Sequence, residues 1–137
     1  MPNNLQAIGS LAGRVLLALI FVMSAVSKIG SYEATVDYMQ SYGLPGFLLP
    51  FTIALEGLGG LAVAVGWQSR QGALLLAGFS IISAVIFHSN FGDQNQIIHF
   101  MKNVAIAGGL LTLAANGPGR IALTFAGRGR ASILSAS

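Results

Sequence analysis

Hydrophobic positions along this chain form four long runs that are separated by short polar segments. The runs cover about residues 8–29, 47–67, 71–90 and 97–116. Each has roughly the 20 mostly apolar residues that a helix needs to cross a bilayer. The runs lack the apolar-polar alternation of barrel strands and are too long for them. Because lipid admits only helices and closed barrels, the pattern predicts four membrane-spanning helices.

A shorter helical pattern lies between the first two runs, over residues 30–46. Its apolar and aromatic residues recur at helical spacing, as Tyr32, Val36, Met39 and Tyr42. Polar residues occupy the opposite face, which is typical of a helix that lies on the membrane surface. We therefore expect an all-α fold, an integral membrane four-helix bundle with a short outer interfacial helix. Residues 1–137 are predicted to form one domain, with a basic tail over residues 117–137.

The composition fits a membrane protein and excludes several other classes. Of the 137 residues, 54% are hydrophobic and 8% are charged, whereas a soluble domain has about 25% charged residues. The seven Lys and Arg residues do not cluster into a stripe that follows phosphates, so we expect no nucleic-acid partner. The absence of cysteine excludes disulfides, thiolate metal sites and dithiol redox chemistry. The predicted partner is the lipid bilayer.

The basic residues are distributed unequally between the two ends of the predicted bundle. The end with both termini has five arginines and no acid, namely Arg14, Arg70, Arg120, Arg128 and Arg130. The other end has two basic residues, Lys28 and Lys102. The positive-inside rule therefore places the N- and C-termini in the cytoplasm. The arginines of the tail are compatible with contact to anionic lipid and equally with a disordered tail.

Glu56 is the one acidic residue within the predicted spans. A charge in hydrocarbon is costly and calls for a partner. Small residues on its helical face let a neighbouring helix approach closely, so Glu56 is expected to point into the bundle. Counting about 1.5 Å per residue, Arg14 and Lys102 both lie within reach, and the sequence does not decide between them. Lys28 is expected to extend to the outer surface.

Three further polar residues are predicted to gather at the end of the bundle away from the termini, above Glu56. They are His88, Lys102 and Asn103. With Glu56 they form a candidate ligand site that offers an imidazole, a cation and an amide. An anion or a quinone carbonyl suits such donors. A buried ion pair that only fixes the packing of the helices remains an equal alternative.

His88 and His99 flank the loop between the third and fourth runs. Two histidines do not make a zinc site, which has three or four protein ligands, so no metal site is predicted. Axial ligation of a haem by this pair is a minor alternative. The role of His99 stays open.

Gly9 and Gly13 form a Gly-x-x-x-Gly pair in the first run. This pair favours close packing of helices. It is equally suited to packing within the bundle and to a homo-oligomer.

Short motifs along the chain carry a resemblance to a known family. They include Gly43-Leu44-Pro45-Gly46, Leu55-Glu56-Gly57, Phe87-His88-Ser89-Asn90-Phe91 and Phe100-Met101-Lys102-Asn103. In this order they resemble the DoxX family of small bacterial inner-membrane proteins, in particular its YqjF-like branch. The resemblance implies a four-helix membrane bundle, and for some relatives it implies quinone-dependent oxidation. His99 is outside the family pattern.

Three classes of function remain open at this point. The first is a membrane subunit of a quinone-linked redox or redox-stress system, with quinone as cofactor and a redox protein as partner. The second is a small transporter or channel that uses Glu56. The third is a non-catalytic accessory or assembly protein whose ion pair is structural. The sequence does not decide whether the chain is an enzyme.

The predicted orientation is testable with a reporter that is active only in the periplasm. Because the arginines favour the cytoplasm, a reporter fused to Ser137 is expected to give no signal. The same reporter inserted between Gln94 and Gln96 is expected to give a strong signal. A strong signal from the fusion at Ser137 would reverse the orientation.

Overall fold

The computed structural model describes residues 4–119, 121–126 and 130–134, and the side chains of 4–119 and 121. The helices and strands are α1 (Asn4–Gly30), α2 (Tyr32–Ser41), α3 (Leu48–Val65), α4 (Ser69–Phe87), α5 (Gln94–Asn116), β1 (Ala122–Ala126) and β2 (Arg130–Leu134). The helices α1, α3, α4 and α5 are long and apolar enough to cross a membrane. The predicted four-helix bundle with a short additional helix is therefore confirmed.

The bundle has two ends, which we name by the features that they carry. The tail side holds the start of α1, the turn between α3 and α4, and the end of α5. The α2 side holds the end of α1, the helix α2 and the loop between α4 and α5. Gly66, with φ of +84°, ends α3 on the tail side. Because glycine adopts this left-handed conformation without a Cβ clash, α4 follows after a minimal turn.

The helices pack in the order α1, α3, α4, α5, while α1 and α5 touch only sparsely. The shared core consists of residues from all four spans, including Ala18, Phe21, Val63, Leu76, Ala107 and Leu110. These side chains are nearly or fully buried. The core fills the middle of the bundle and its tail side.

Two glycines of α3 set the register of α3 against α1. A Cβ on Gly60 would lie 3.2 Å from the Cβ of Phe21 and 3.3 Å from the carbonyl oxygen of Ala18. A Cβ on Gly57 would lie 3.6 Å from the Cβ of Ala25. The two backbones approach closely because these positions carry no side chain. The end of α1 therefore lies beside the first half of α3.

The segment after α5 lies against the start of α1. Ser10 Oγ donates a hydrogen bond to the carbonyl oxygen of Pro118 at 3.1 Å. Arg14 donates from Nη2 to the carbonyl oxygen of Ile121. Gly119, with φ of +86°, packs on Ser10 so closely that a Cβ would overlap the hydroxyl group. The chain is therefore attached to the tail side of the bundle as far as residue 121.

The tail contains a hairpin that the sequence analysis did not predict. β1 pairs with β2 in antiparallel register, with Ala122 opposite Leu134 and Ala126 opposite Arg130. Alternating residues over 122–126 fit a strand, but a single five-residue run is a weak signal. Arg120 and Arg128, which contributed to the predicted orientation, lie outside the described residues.

Gly9 and Gly13 do not pack within the described part of the bundle. Nothing lies within 4 Å of a Cβ placed at either position. Their role in a homo-oligomer stays a prediction.

The close approach of α1 and α3 predicts a difference between two glycine substitutions. Alanine increases helix propensity by about 1 kcal/mol at Gly60 and at Gly78 alike. At Gly60 the added methyl group overpacks the α1 contact, which costs about 1–3 kcal/mol. At Gly78 nothing lies within 4 Å of the added Cβ. Thermal unfolding in detergent is expected to give a lower Tm for Gly60→Ala than for Gly78→Ala. An equal or higher Tm for Gly60→Ala would contradict the packing.

Candidate functional site

A cavity of about 420 Å³ occupies the α2-side half of the bundle. Its volume lies within the range of about 300–1,000 Å³ that is common for small-molecule sites. All five helices contribute to its wall, which is mainly apolar and aromatic. The polar side chains that line it are Ser24, Lys28, Thr35, Tyr38, Thr52, Glu56, Ser80, Ser83, His88 and Asn103.

An ion pair between α1 and α3 lies in the wall of this cavity. Lys28 Nζ is 2.7 Å from Glu56 Oε1, and it donates a hydrogen bond to Ser24 Oγ at 2.6 Å. The side chain of Glu56 is 4% exposed and that of Lys28 is 25% exposed. Oε1 of Glu56 is occupied by the ammonium of Lys28. One cation and one anion, paired with each other, therefore face the cavity.

The expectation that Glu56 points into the bundle is correct, but its predicted pairing with Arg14 or Lys102 is wrong. The contacts of Gly57 and Gly60 with α1 bring the end of α1, and with it Lys28, level with Glu56. Lys28 turns towards Glu56 and remains partly exposed, because a buried carboxylate without a partner is strongly destabilising. The sequence analysis estimated the depth of each residue by counting from the end of its span. Such a count does not give the register of α1 against α3.

Arg14 is buried on the tail side, with 2% of its side chain exposed. Its Nη1 donates to the carbonyl oxygens of Val63 at 3.2 Å and Ala64 at 3.0 Å. These carbonyls lie seven and eight residues beyond Glu56, which is roughly 10–12 Å along α3. Arg14 has no acidic partner among the described residues, and it contacts neutral carbonyl groups instead. It therefore closes the tail side and takes no part in the cavity.

Lys102 is exposed on α5 and does not line the cavity, whereas its neighbour Asn103 does. Successive residues on a helix differ by about 100° in direction, so the two side chains leave α5 on different faces. The predicted convergence of Lys102 with Glu56, His88 and Asn103 is therefore not found in this cavity. The side chain of Asn103 makes no hydrogen bond within the described part of the chain, so its amide is available to a ligand.

The short helix α2 covers the cavity on the α2 side. The ring of Tyr38 stacks on Phe87 with 5.3 Å between centroids, and Tyr42 meets the edge of Phe87 at 5.0 Å. Burial and the hydrogen bond with Tyr42 raise the pKa of Tyr38 to about 12. Tyr38 is therefore neutral at physiological pH. The three rings attach α2 to the end of α4.

His88 follows α4 directly and lines the cavity, and its role in binding a ligand stays a prediction. Its ring lies 5.1 Å from that of His99, measured between centroids. Burial lowers the pKa of His88, and the neighbouring His99 lowers it further. His88 therefore stays neutral at physiological pH and adds no charge to the cavity. Among the residues that the structure describes, no group of three or more potential ligands is arranged to hold a metal ion.

Comparison with known proteins identifies the family of this chain. A sequence model of the DoxX family matches residues 9–89, which is more than half of the chain. The chain belongs to the DoxX family. No solved structure matches it.

Curated relatives of this DoxX-family protein support its location. It is 44% identical to inner membrane protein YqjF of Escherichia coli K12 over 117 residues, which are 85% of this chain and 90% of YqjF. It is 36% identical to inner membrane protein YphA of the same organism over 120 residues, 82% of this chain and 86% of YphA. With the four apolar helices, these relatives show a multi-pass inner-membrane protein. The orientation of its termini stays a prediction.

The name of a third relative of this DoxX-family protein refers to an oxidoreductase activity. CatD of Bacillus subtilis 168, named as a candidate oxidoreductase, is 35% identical over 84 residues. These residues are 61% of this chain and 62% of CatD.

Sequence reasoning about this DoxX-family protein missed Lys28 and Ser24 as members of the site. The two residues are four positions apart on one face of α1, where a helix brings side chains into contact. Ser24 precedes Lys28 by one turn and supplies an acceptor for its ammonium on the inner side of the helix end.

The two partners of the ion pair differ in burial, so we expect the loss of stability to be larger when Lys28 is replaced than when Glu56 is replaced. Lys28→Met leaves a nearly buried carboxylate unpaired, which costs about 3–5 kcal/mol. Glu56→Gln leaves a partly exposed lysine close to the end of α1, from which it can reach water, so the loss is smaller. The double variant removes both charges and is expected to regain most of the stability. Thermal unfolding of the four proteins, analysed as a double-mutant cycle, measures this coupling. Additive losses in the double variant would show that the two residues do not interact.

Proposed function

We propose that this protein is a quinone-binding membrane subunit of a redox system in the inner membrane. The observation that carries the proposal is the apolar cavity with the Lys28–Glu56 pair in its wall. A quinone has an apolar ring and two carbonyl oxygens that accept hydrogen bonds. The cavity offers a matching surface, since it combines apolar and aromatic side chains with a few polar groups.

The charge balance of the cavity supports a neutral ligand. Because Arg14 lies on the tail side and Lys102 faces away, the cavity holds one cation and one anion among the described residues. A permanently charged ligand would leave a net charge buried in hydrocarbon, or would have to separate the pair. A neutral ring with carbonyl groups avoids both costs. The ammonium of Lys28 and the amide of Asn103 are donors that such carbonyls accept.

The same residues are suited to proton transfer. A bound quinone carries electrons and protons together, which is the chemistry that the cofactor supplies. The ammonium of Lys28 is a donor, and it lies 2.7 Å from the Glu56 carboxylate, an acceptor, in the cavity wall. Ionisable groups buried within a membrane are typical of proton relays. Lys28 and Glu56 are therefore the groups that we expect to exchange protons with the ligand.

Electrons come from a partner protein in this proposal. The chain has no cysteine, and its described residues offer no metal-binding group of three. The relative CatD, whose name marks it as a candidate oxidoreductase, supports a redox role for the family. The partner is a redox protein that meets the bundle in or at the membrane.

A transporter is less well supported than a quinone site. Transport through the bundle needs a polar path from the cavity to the tail side. The core between Glu56 and Arg14 is filled by apolar side chains, among them Phe21, Val63 and Leu110. The third class, an accessory protein with a structural ion pair, predicts no ligand at all.

Equilibrium binding of a decyl-chain benzoquinone to the purified protein tests the proposal. The wild type is expected to bind, and Lys102→Met serves as a matched control because it removes a lysine outside the cavity. Asn103→Leu is expected to weaken binding up to about tenfold, since a neutral hydrogen bond contributes about 0.5–1.5 kcal/mol and about 1.4 kcal/mol corresponds to tenfold in Kd. The double variant Lys28→Met/Glu56→Gln is expected to fold and to bind much more weakly.

Two results would contradict the quinone site. A wild type that does not bind the quinone would favour the accessory class. Equal binding by the wild type and the folded double variant would place the ligand elsewhere. Thermal unfolding of each variant separates loss of the site from loss of the fold.

A further inference from the structure

We infer that the ligand of this cavity reaches it from the lipid, between α1 and α5, and carries an apolar chain that stays in that opening. This access route rests on the proposed quinone site and specifies the class of its ligand. The ligand is then a neutral ring with carbonyl groups and a long hydrocarbon tail.

Helix α2 obstructs access from the water phase. Its residues Thr35, Tyr38 and Met39 form part of the cavity wall. The aromatic contacts of Tyr38 and Tyr42 with Phe87 attach α2 to α4. Met39 is the buried residue of α2. A ligand that arrived from water would have to displace these contacts.

The two helices α1 and α5 leave a gap in the α2-side half of the bundle. Their contact lies nearer the tail side, where Leu17 packs on Gly109 at 3.3 Å from the position of a Cβ. Further towards the α2 side, Ile20 on α1 and Ile106 on α5 line the cavity. Since α1 and α5 touch only sparsely, no close helix contact seals the cavity at this point.

Ile20 marks the depth of the gap. It lines the cavity, and 49% of its side chain is exposed. It lies ten residues before the end of α1 at Gly30, which is roughly 15 Å along the helix. At this depth the surface of the bundle faces hydrocarbon, whose core is about 30 Å thick. The gap therefore opens to lipid tails, and an apolar chain leaving the cavity through it stays in an apolar environment.

Closing the gap with a larger side chain tests this route. Ile20→Trp places an indole in the opening. Leu16→Trp is the matched control, because Leu16 is one turn away on the same face, is 69% exposed and does not line the cavity. The probes are a decyl-chain benzoquinone and the same benzoquinone ring without a chain. Binding is measured in nanodiscs of neutral phospholipid.

Ile20→Trp is expected to weaken binding of the decyl-chain probe about tenfold. It is also expected to slow the association of this probe, and association rates vary over about one to three decades among related complexes. Binding of the ring without a chain is expected to weaken less than binding of the decyl-chain probe, since the indole occupies chiefly the path of the chain. Leu16→Trp is expected to match the wild type with both probes.

The outcomes separate the access route from the proposed function. If the wild type binds neither probe, the quinone site itself is wrong. If it binds both and Ile20→Trp changes neither, the site stands and the access route is wrong. Ile82 on α4 also lines the cavity and is 60% exposed. If Ile82→Trp weakens binding of the decyl-chain probe and Ile20→Trp does not, the hydrocarbon chain leaves the cavity along α4. That result also overturns the route between α1 and α5.

Discussion

The close contact of α1 with α3 is the constraint on which the rest of this structure depends. Gly57 and Gly60 carry no side chain, so the backbone of α3 approaches α1 until it meets Ala25 and Phe21. Close approach through small residues is a general way in which helices associate in lipid, where the hydrophobic effect does not drive them together. This register brings Lys28 to Glu56 and separates Arg14 from it.

Lys28 and Arg14 consequently have different tasks at opposite ends of the bundle. Lys28 is paired with a carboxylate in the wall of the cavity and remains partly exposed. Arg14 is almost fully buried and donates to backbone carbonyls of α3 and of Ile121. The guanidinium group has five donors and suits such a set of neutral acceptors. Because Lys28 and Arg14 lie at opposite ends, the cavity wall holds one positive and one negative charge, and Arg14 closes the tail side.

The four spans and α2 were predictable because long apolar runs and helical spacing are local properties of the sequence. The inward direction of Glu56 followed from the cost of a charge in lipid. Its partner was not predictable in the same way, because the register of two helices depends on contacts of residues far apart in the chain. Lys102 and Asn103 are adjacent in sequence and were both expected in the site, but their side chains leave α5 about 100° apart, and the sequence alone does not fix the rotation of α5.

The register of α1 against α3 can be measured directly, because the chain has no native cysteine that would interfere. A Cβ on Gly57 would lie 3.6 Å from that of Ala25, within the range of about 3.5–4.5 Å that disulfides require. The double variant Ala25→Cys/Gly57→Cys is expected to form a disulfide readily under mild oxidation in membranes. Phe21→Cys/Gly57→Cys, shifted by about one turn, is expected to form it poorly. Efficient cross-linking of the shifted pair, with none between positions 25 and 57, would contradict the register and with it the pairing of Lys28 with Glu56.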